Sequence, residues 1–313
     1  MNAKGGDTVG EGVEKFGMGW LPDYPDFRDY TVDRDEVSDK LKLFGQKDSV
    51  KTMLGAVGVD KPKKEGLPGS VNLSDWCSPI EDQGPLGSCT AHAGVGLVEY
   101  FERRALGTHT DASRLFLYKA TRNLLGLTGD TGAYLRTTMG ALVLFGVPPE
   151  KYWKYVVSDY DKEPSAFCYA FAQNYQAITY YRHDPPGIAP NVLLDRIKTY
   201  LAGGLPSMFG FTVYSSISQA ETTGKIPYPT KDEKVLGGHA IDAVGYDDNM
   251  KIKNTNPKGE ETKGALLIRN SWGTGWGDHG YGWLPYEYVL KRLAVDWWSL
   301  LKNEWINTGA FKL

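Results

Sequence analysis

Between residues 90 and 107 the apolar positions repeat at a helical interval. Gly94, Leu97, Val98, Phe101 and Ala105 fall at i, i+3, i+4, i+7 and i+11, which predicts one buried helix face. Glu102, Arg103 and Arg104 crowd the far end, and Gly107 is placed to stop the helix. Residues 113–125 and 134–145 predict two further helices, the second closed by Gly146 and two prolines. Beyond them the pattern changes. Residues 177–181, 206–214, 240–246 and 264–269 are short apolar or β-rich runs between Gly, Pro and Asp turns, and they predict strands. One helix, 191–202, interrupts them. Helices first and strands second predict an α+β fold of two lobes, helical over about 67–176 and β-rich over about 177–295. The polar stretch 248–264 predicts an exposed hairpin loop. Residues 296–313 read as a C-terminal tail, which Trp297, Trp298 and Trp305 would anchor to the core.

Residues 1–66 differ from the remainder, 67–313. From Thr31 onward they are dense in charge and poor in apolar residues, and they predict an extended or partly helical arm. Trp20-Leu21-Pro22-Asp23-Tyr24-Pro25-Asp26-Phe27-Arg28-Asp29-Tyr30 is the exception. Two prolines hold it extended, and its aromatic rings need a surface. Two readings stay open: docking on the back of the domain, or covering a cleft.

Composition narrows the function classes. The chain has 313 residues, 41% of them hydrophobic, with 35 Lys+Arg against 38 Asp+Glu. A net charge of −3 sets up no strong field toward nucleic acid or an anionic membrane. The longest clean apolar run, 141–147, is too short to span a bilayer. No secretory signal is visible at the start. A cytoplasmic location is therefore favoured, with non-classical export left open. No metal-ligand spacing occurs, and neither a metal nor a cofactor is expected. The three cysteines, Cys77, Cys89 and Cys168, cannot all pair, so at least one thiol is free.

Cys89 has the setting of a reactive thiol. Gln83-Gly84-Pro85-Leu86-Gly87-Ser88 forms a loop that delivers it to the start of a helix. Free backbone N–H groups and the helix dipole there favour a thiolate and can bind a developing oxyanion. Gln83 can add a side-chain amide donor. His239 opens a strand after Gly237 and Gly238, and an imidazole beside Cys89 can move its proton. Asn270 ends another strand before Ser271-Trp272-Gly273-Thr274-Gly275-Trp276-Gly277. It can fix the tautomer of His239, and Trp272 can shield that bond from water. His92 reads as structural, His279 as a turn residue, and His109 and His183 as exposed.

Together these segments resemble the papain-like cysteine peptidases, with Cys, His and Asn in family order over residues 67–289. The resemblance implies the two-lobed papain-like fold, with the active-site cleft between a helical lobe and a β-barrel-like lobe. It implies a cysteine endopeptidase working through a thioester acyl-enzyme: Cys89 as nucleophile, His239 as general base and acid, Asn270 as orienting residue and Gln83 as oxyanion donor. Gly129–Ala133 matches the family's backbone-binding loop, so Gly132 and Ala133 would bind substrate. Ala240 would line the pocket for the second residue before the cut, with Gly238, Trp272 and Trp276 also bordering substrate. The implied partner is a peptide or protein, and a monomer is expected. Leu86 and Thr90 depart from the family's Cys and aromatic at those positions. His239 lies 150 residues after Cys89 and Asn270 lies 181 after it, the polar stretch 248–264 accounting for the added length. The element from Trp20 to Asp29 resembles that of a shorter bacterial branch, and the arm is a candidate prosegment over the cleft. Two other readings remain: a non-catalytic papain-like binding module with a blocked cleft, and an acyl-transferring relative.

Overall fold

The computed structural model describes residues 17–43, 45–60, 66–175 and 179–313. Among the described residues the helices are α1 (Asp39–Leu43), α2 (Val50–Val57), α3 (Cys89–Leu106), α4 (Arg114–Leu125), α5 (Leu135–Leu144), α6 (Ala166–Ala172), α7 (Pro190–Ala202), α8 (Tyr286–Leu290) and α9 (Asn303–Ile306). The strands are β1 (Ser70–Asn72), β2 (Thr179–Arg182), β3 (Ser207–Tyr214), β4 (Val235–Lys253), β5 (Glu261–Arg269), β6 (Tyr281–Pro285) and β7 (Ala294–Leu301).

The first thirteen residues of α3, from Cys89 to Phe101, are all buried. Its glycines explain how it can be enclosed on two sides. A Cβ on Gly94 would stand 3.1 Å from Thr138 and 3.4 Å from Leu117, on the side of α4 and α5. A Cβ on Gly96 would stand 2.5 Å from Arg269 and 2.7 Å from Asp242, on the sheet side. The helix therefore lies between the helical lobe and the sheet. Gly107 ends it in the left-handed conformation, with its N–H on the Arg103 carbonyl. Ser113 caps α4 by accepting from the Phe116 N–H.

The sheet runs β2-β7-β3-β4-β5-β6 with antiparallel neighbours, and β1 pairs with β4. Residues 239–246 of β4 are buried throughout, because α3 packs on this strand as well as β3 and β5. This is the two-lobed α+β architecture that the order of helices and strands predicts.

Three elements differ from expectation. The strands of the β4–β5 hairpin extend well into the polar stretch 248–264. Lys251 faces Lys263 and Lys253 faces Glu261 across the ladder, so only the tip is loop. Residues 294–301 form a strand of the sheet, not part of a tail. Trp297 and Trp298 are buried on it, and Trp297 stacks on Phe209 at 3.9 Å. The strand expected from residue 177 begins at Thr179, and residues 177 and 178 lie outside the described residues.

Within the arm, α2 is capped by Ser49 and buries Val50, Met53, Leu54 and Val57. The Leu313 N–H donates to the Val57 carbonyl at 2.9 Å, tying this helix to the chain's last residue.

Candidate active site

Cys89 is the first residue of α3 and is fully buried. His239 sits on β4 opposite Phe211 of β3. Helix α3, which begins at Cys89, packs against β4, the strand that carries His239. Nε2 of His239 lies 2.8 Å from Oδ1 of Asn270, which also accepts the Ser271 N–H at 2.8 Å. The second bond requires an oxygen at that position, which orients the Asn270 amide. An oxygen acceptor there places the imidazole proton on Nε2. Nδ1 is then the basic nitrogen, and it is buried without a hydrogen-bond partner among the described residues. Trp272 stacks on the ring at 4.5 Å.

Gln83 is held from both lobes. Its N–H donates to the Ser271 carbonyl at 2.9 Å, and its Oε1 accepts from the Ser271 hydroxyl at 2.6 Å. The amide is thereby oriented so that Nε2 donates to the carbonyls of Leu86 at 2.8 Å and Gly17 at 2.7 Å.

That Gly17 belongs to the arm. Its N–H donates to the Gly84 carbonyl at 3.2 Å. A Cβ on Gly19 would stand 1.7 Å from the Gly87 carbonyl oxygen, so only glycine permits this approach to the loop before Cys89. Ala133 N–H donates to Gly19 O at 2.8 Å, Leu21 N–H to Ala133 O at 3.0 Å, and Trp20 N–H to Gly238 O at 3.2 Å. Gly132, whose N–H donates to the Tyr118 hydroxyl, abuts the same Gly19 backbone.

This enclosure reverses the expected thiol electrostatics. Burial pushes Cys89 up to about 11, although the backbone N–H groups of Ala240, Gly19 and Thr90 oppose the shift. Burial also pushes His239 down to about 4, against the bond to Asn270. With the arm in place the pair is therefore a neutral thiol and a neutral imidazole over the range between those values. The helix start does not yield a low thiol pKa while it is dry.

Residues 67–289 match the model of the papain family of cysteine proteases. The chain belongs to that family. A peptidase C1-like protein of Acanthamoeba polyphaga mimivirus is 31% identical over 90% of this chain and 86% of its own length. Xylellain, a cysteine protease from Xylella fastidiosa, superimposes with a TM-score of 0.69 at 32% identity, covering 92% of this chain and 96% of that one. Digestive procathepsin L 3 of Tenebrio molitor shares the fold at 20% identity and a TM-score of 0.56, over 80% of this chain and 78% of that one. The protein is thus a papain-like cysteine peptidase.

In this family member the Trp20 indole fills a slot with glycines along its walls. A Cβ on Gly210 would stand 1.9 Å from the ring, and one on Gly238 would stand 2.8 Å from it. Its Nε1–H donates to Oδ2 of Asp296 at 3.1 Å. Asp296 is fully buried, has a positive φ of 63°, and also accepts from Nε1 of Trp298 at 2.7 Å. Burial pushes its carboxyl up to about 6, with Arg182 3.1 Å away opposing the shift. Further along the arm, Asp29 pairs with Arg136 at 2.7 Å and with Arg182 at 3.6 Å, and Asp23 pairs with Arg136.

Trp276 packs edge-on to Trp272 at 5.5 Å. His92 is buried against Ser88 and Tyr155. His279 is exposed in a left-handed turn at φ 53°. His109 is half-buried. His183 is not exposed: it is fully buried between Tyr181 and Tyr200, each 5.0 Å away, and burial pushes it down to about 3. All three cysteines are free thiols. The described residues contain no group of three His, Cys, Asp or Glu side chains able to hold a metal, and no helix long and apolar enough to cross a membrane.

Sequence reasoning missed Asp296, Gly210 and Ser271. Ser271 had a signal, since it sits between Asn270 and Trp272. Asp296 had one too: an acid inside the apolar run Leu293-Ala294-Val295-Asp296-Trp297-Trp298 needs a buried partner.

Proposed function

We propose that this papain-like cysteine peptidase is an endopeptidase in which Cys89, His239 and Asn270 carry the chemistry, and that residues 17–30 restrain it in cis. The observation that carries the reading is the occupancy of Gln83. A backbone carbonyl of the arm, that of Gly17, accepts from the side-chain amide that would face a developing oxyanion.

In the open state a thiolate–imidazolium pair replaces the neutral one. The Cys89 sulfur attacks the scissile carbonyl carbon, and the carbonyl oxygen becomes the oxyanion held by Gln83. The C–N bond breaks as His239 gives its Nδ1 proton to the leaving amine, leaving a thioester. Water then attacks the thioester and yields a proton to His239, and the thiolate departs. Asn270 keeps the ring in the tautomer this sequence needs.

The full burial of Cys89 also favours a second reading, a blocked module that never turns over. An epoxysuccinyl inhibitor separates the two. It is expected to label Cys89, and peptides are expected to be cleaved under reducing conditions. Absence of cleavage by both the full chain and its Trp20→Ala variant would sink the peptidase mechanism.

A pH measurement tests the restrained state. A thiol held near 11 is protonated at neutral pH and ionises only as pH rises toward that value. The ultraviolet thiolate absorbance that disappears on Cys89→Ala is therefore expected to be near zero at neutral pH in the full chain. In the Trp20→Ala chain it is expected to be present at neutral pH.

A further inference from the structure

The Gly19 backbone packs on Gly87, two residues before Cys89, and Trp20 is its neighbour. The residue of a substrate that lies next to the one at the sulfur therefore falls where Trp20 lies, at Ala133 and Gly238. We infer that the slot vacated by Trp20 receives the side chain of the substrate's second residue before the cut and selects an indole there, with Asp296 as the specificity-determining group. This rests on the peptidase mechanism proposed above.

The shape comes from absent side chains. Gly210 on β3 and Gly238 on β4 both contact the ring, and a methyl group on either would overlap it. A branched aliphatic side chain leaves much of such a slot unfilled, and unfilled apolar space costs contacts. The chemistry comes from the floor. Asp296 sits at an irregular step of the β3–β7 pairing, in a left-handed conformation unusual for a residue with a side chain. Its Oδ1 is engaged by Trp298 and Arg182, while its Oδ2 accepts the indole N–H. When Trp20 leaves, that acceptor loses the indole donor. An incoming indole restores the bond, whereas phenylalanine leaves a buried carboxylate oxygen without it. The Arg182 guanidinium lies 3.1 Å from Oδ1 of Asp296 and is shared with Asp184 at 2.9 Å, so it leaves Oδ2 as the acceptor facing the slot.

The experiment uses the full chain carrying Trp20→Ala. Four blocked dipeptide amides of a fluorogenic amine share their first residue before the cut and carry Trp, Phe, Leu or Arg as the second. kcat/KM is expected to be about tenfold higher for Trp than for each of the others. Adding Asp296→Asn is expected to shrink the Trp-to-Phe ratio several-fold. Adding Gly210→Ala instead, which leaves the Arg182 pairing intact, is expected to reverse the order of Trp and Leu. Equal rates for Trp and Phe, a lead for Leu or Arg, or ratios unmoved by both added substitutions would overturn the slot assignment while leaving the peptidase mechanism standing. Failure to cleave any of the four, with Cys89 unlabelled by the epoxysuccinyl reagent, would overturn the mechanism and the assignment with it.

Discussion

Cys89→Ala is expected to lower peptide hydrolysis by about four orders of magnitude or more, the scale seen when a nucleophile is removed. Alanine at the first position of α3 keeps the helix and the buried volume nearly intact, and it removes the only atom there that can form the thioester. Gln83 would still bind the carbonyl oxygen, so substrate affinity should fall much less than kcat. His239→Ala is expected to approach the same loss, and the double variant should add little, because the two side chains act in one proton-coupled step. Steady-state kinetics on purified variants, each checked by circular dichroism, measures this. A Cys89→Ala chain that retains a tenth of the wild-type kcat would overturn the assignment of the nucleophile.

Trp20→Ala is expected to raise kcat/KM of the full chain by about two orders of magnitude or more. Truncating a buried tryptophan removes about 3–5 kcal/mol of packing. That loss falls almost wholly on the arm-covered state, because an uncovered Trp20 has no slot to fill. Each 1.4 kcal/mol of it is a factor of ten in the opening equilibrium. The pairs of Asp23 and Asp29 with Arg136 are partly exposed and contribute less, so Asp23→Asn should raise kcat/KM only slightly. An unchanged kcat/KM on Trp20→Ala would show that the arm does not restrain the enzyme.

The residues to which we assign the chemistry stand out in the sequence because each announces itself through local backbone demands. A Gly/Pro loop ending at Cys89, a Gly-Gly pair before His239, and a Gly/Trp turn after Asn270 are all readable within about ten residues. The fold class was legible for a similar reason, since helical and alternating periods occupy separate halves of the chain. What stayed hidden depends on distant partners. The outer half of β4 reads as loop because its residues are polar, and its strand identity comes from pairing with β5. Asp296 reads as part of a tail, and its value lies in Trp20, 276 residues away, and in Arg182. His183 reads as a surface residue because its neighbours Arg182 and Asp184 are charged, yet those two pair with each other at 2.9 Å and are buried with it. The thiol pKa was misjudged because a helix start says nothing about what covers it.

The hydroxyl bond from Ser271 to Gln83 holds the Gln83 side-chain amide from across the cleft. Gln83 comes from the loop before α3, while Ser271 follows the asparagine that orients His239. Any hinge-like spreading of the lobes would release that amide to rotate, in the same movement that draws the imidazole away from the sulfur. On the mechanism proposed above, oxyanion binding and proton transfer would then be lost together, and a partly splayed conformer would be silent, not merely slower.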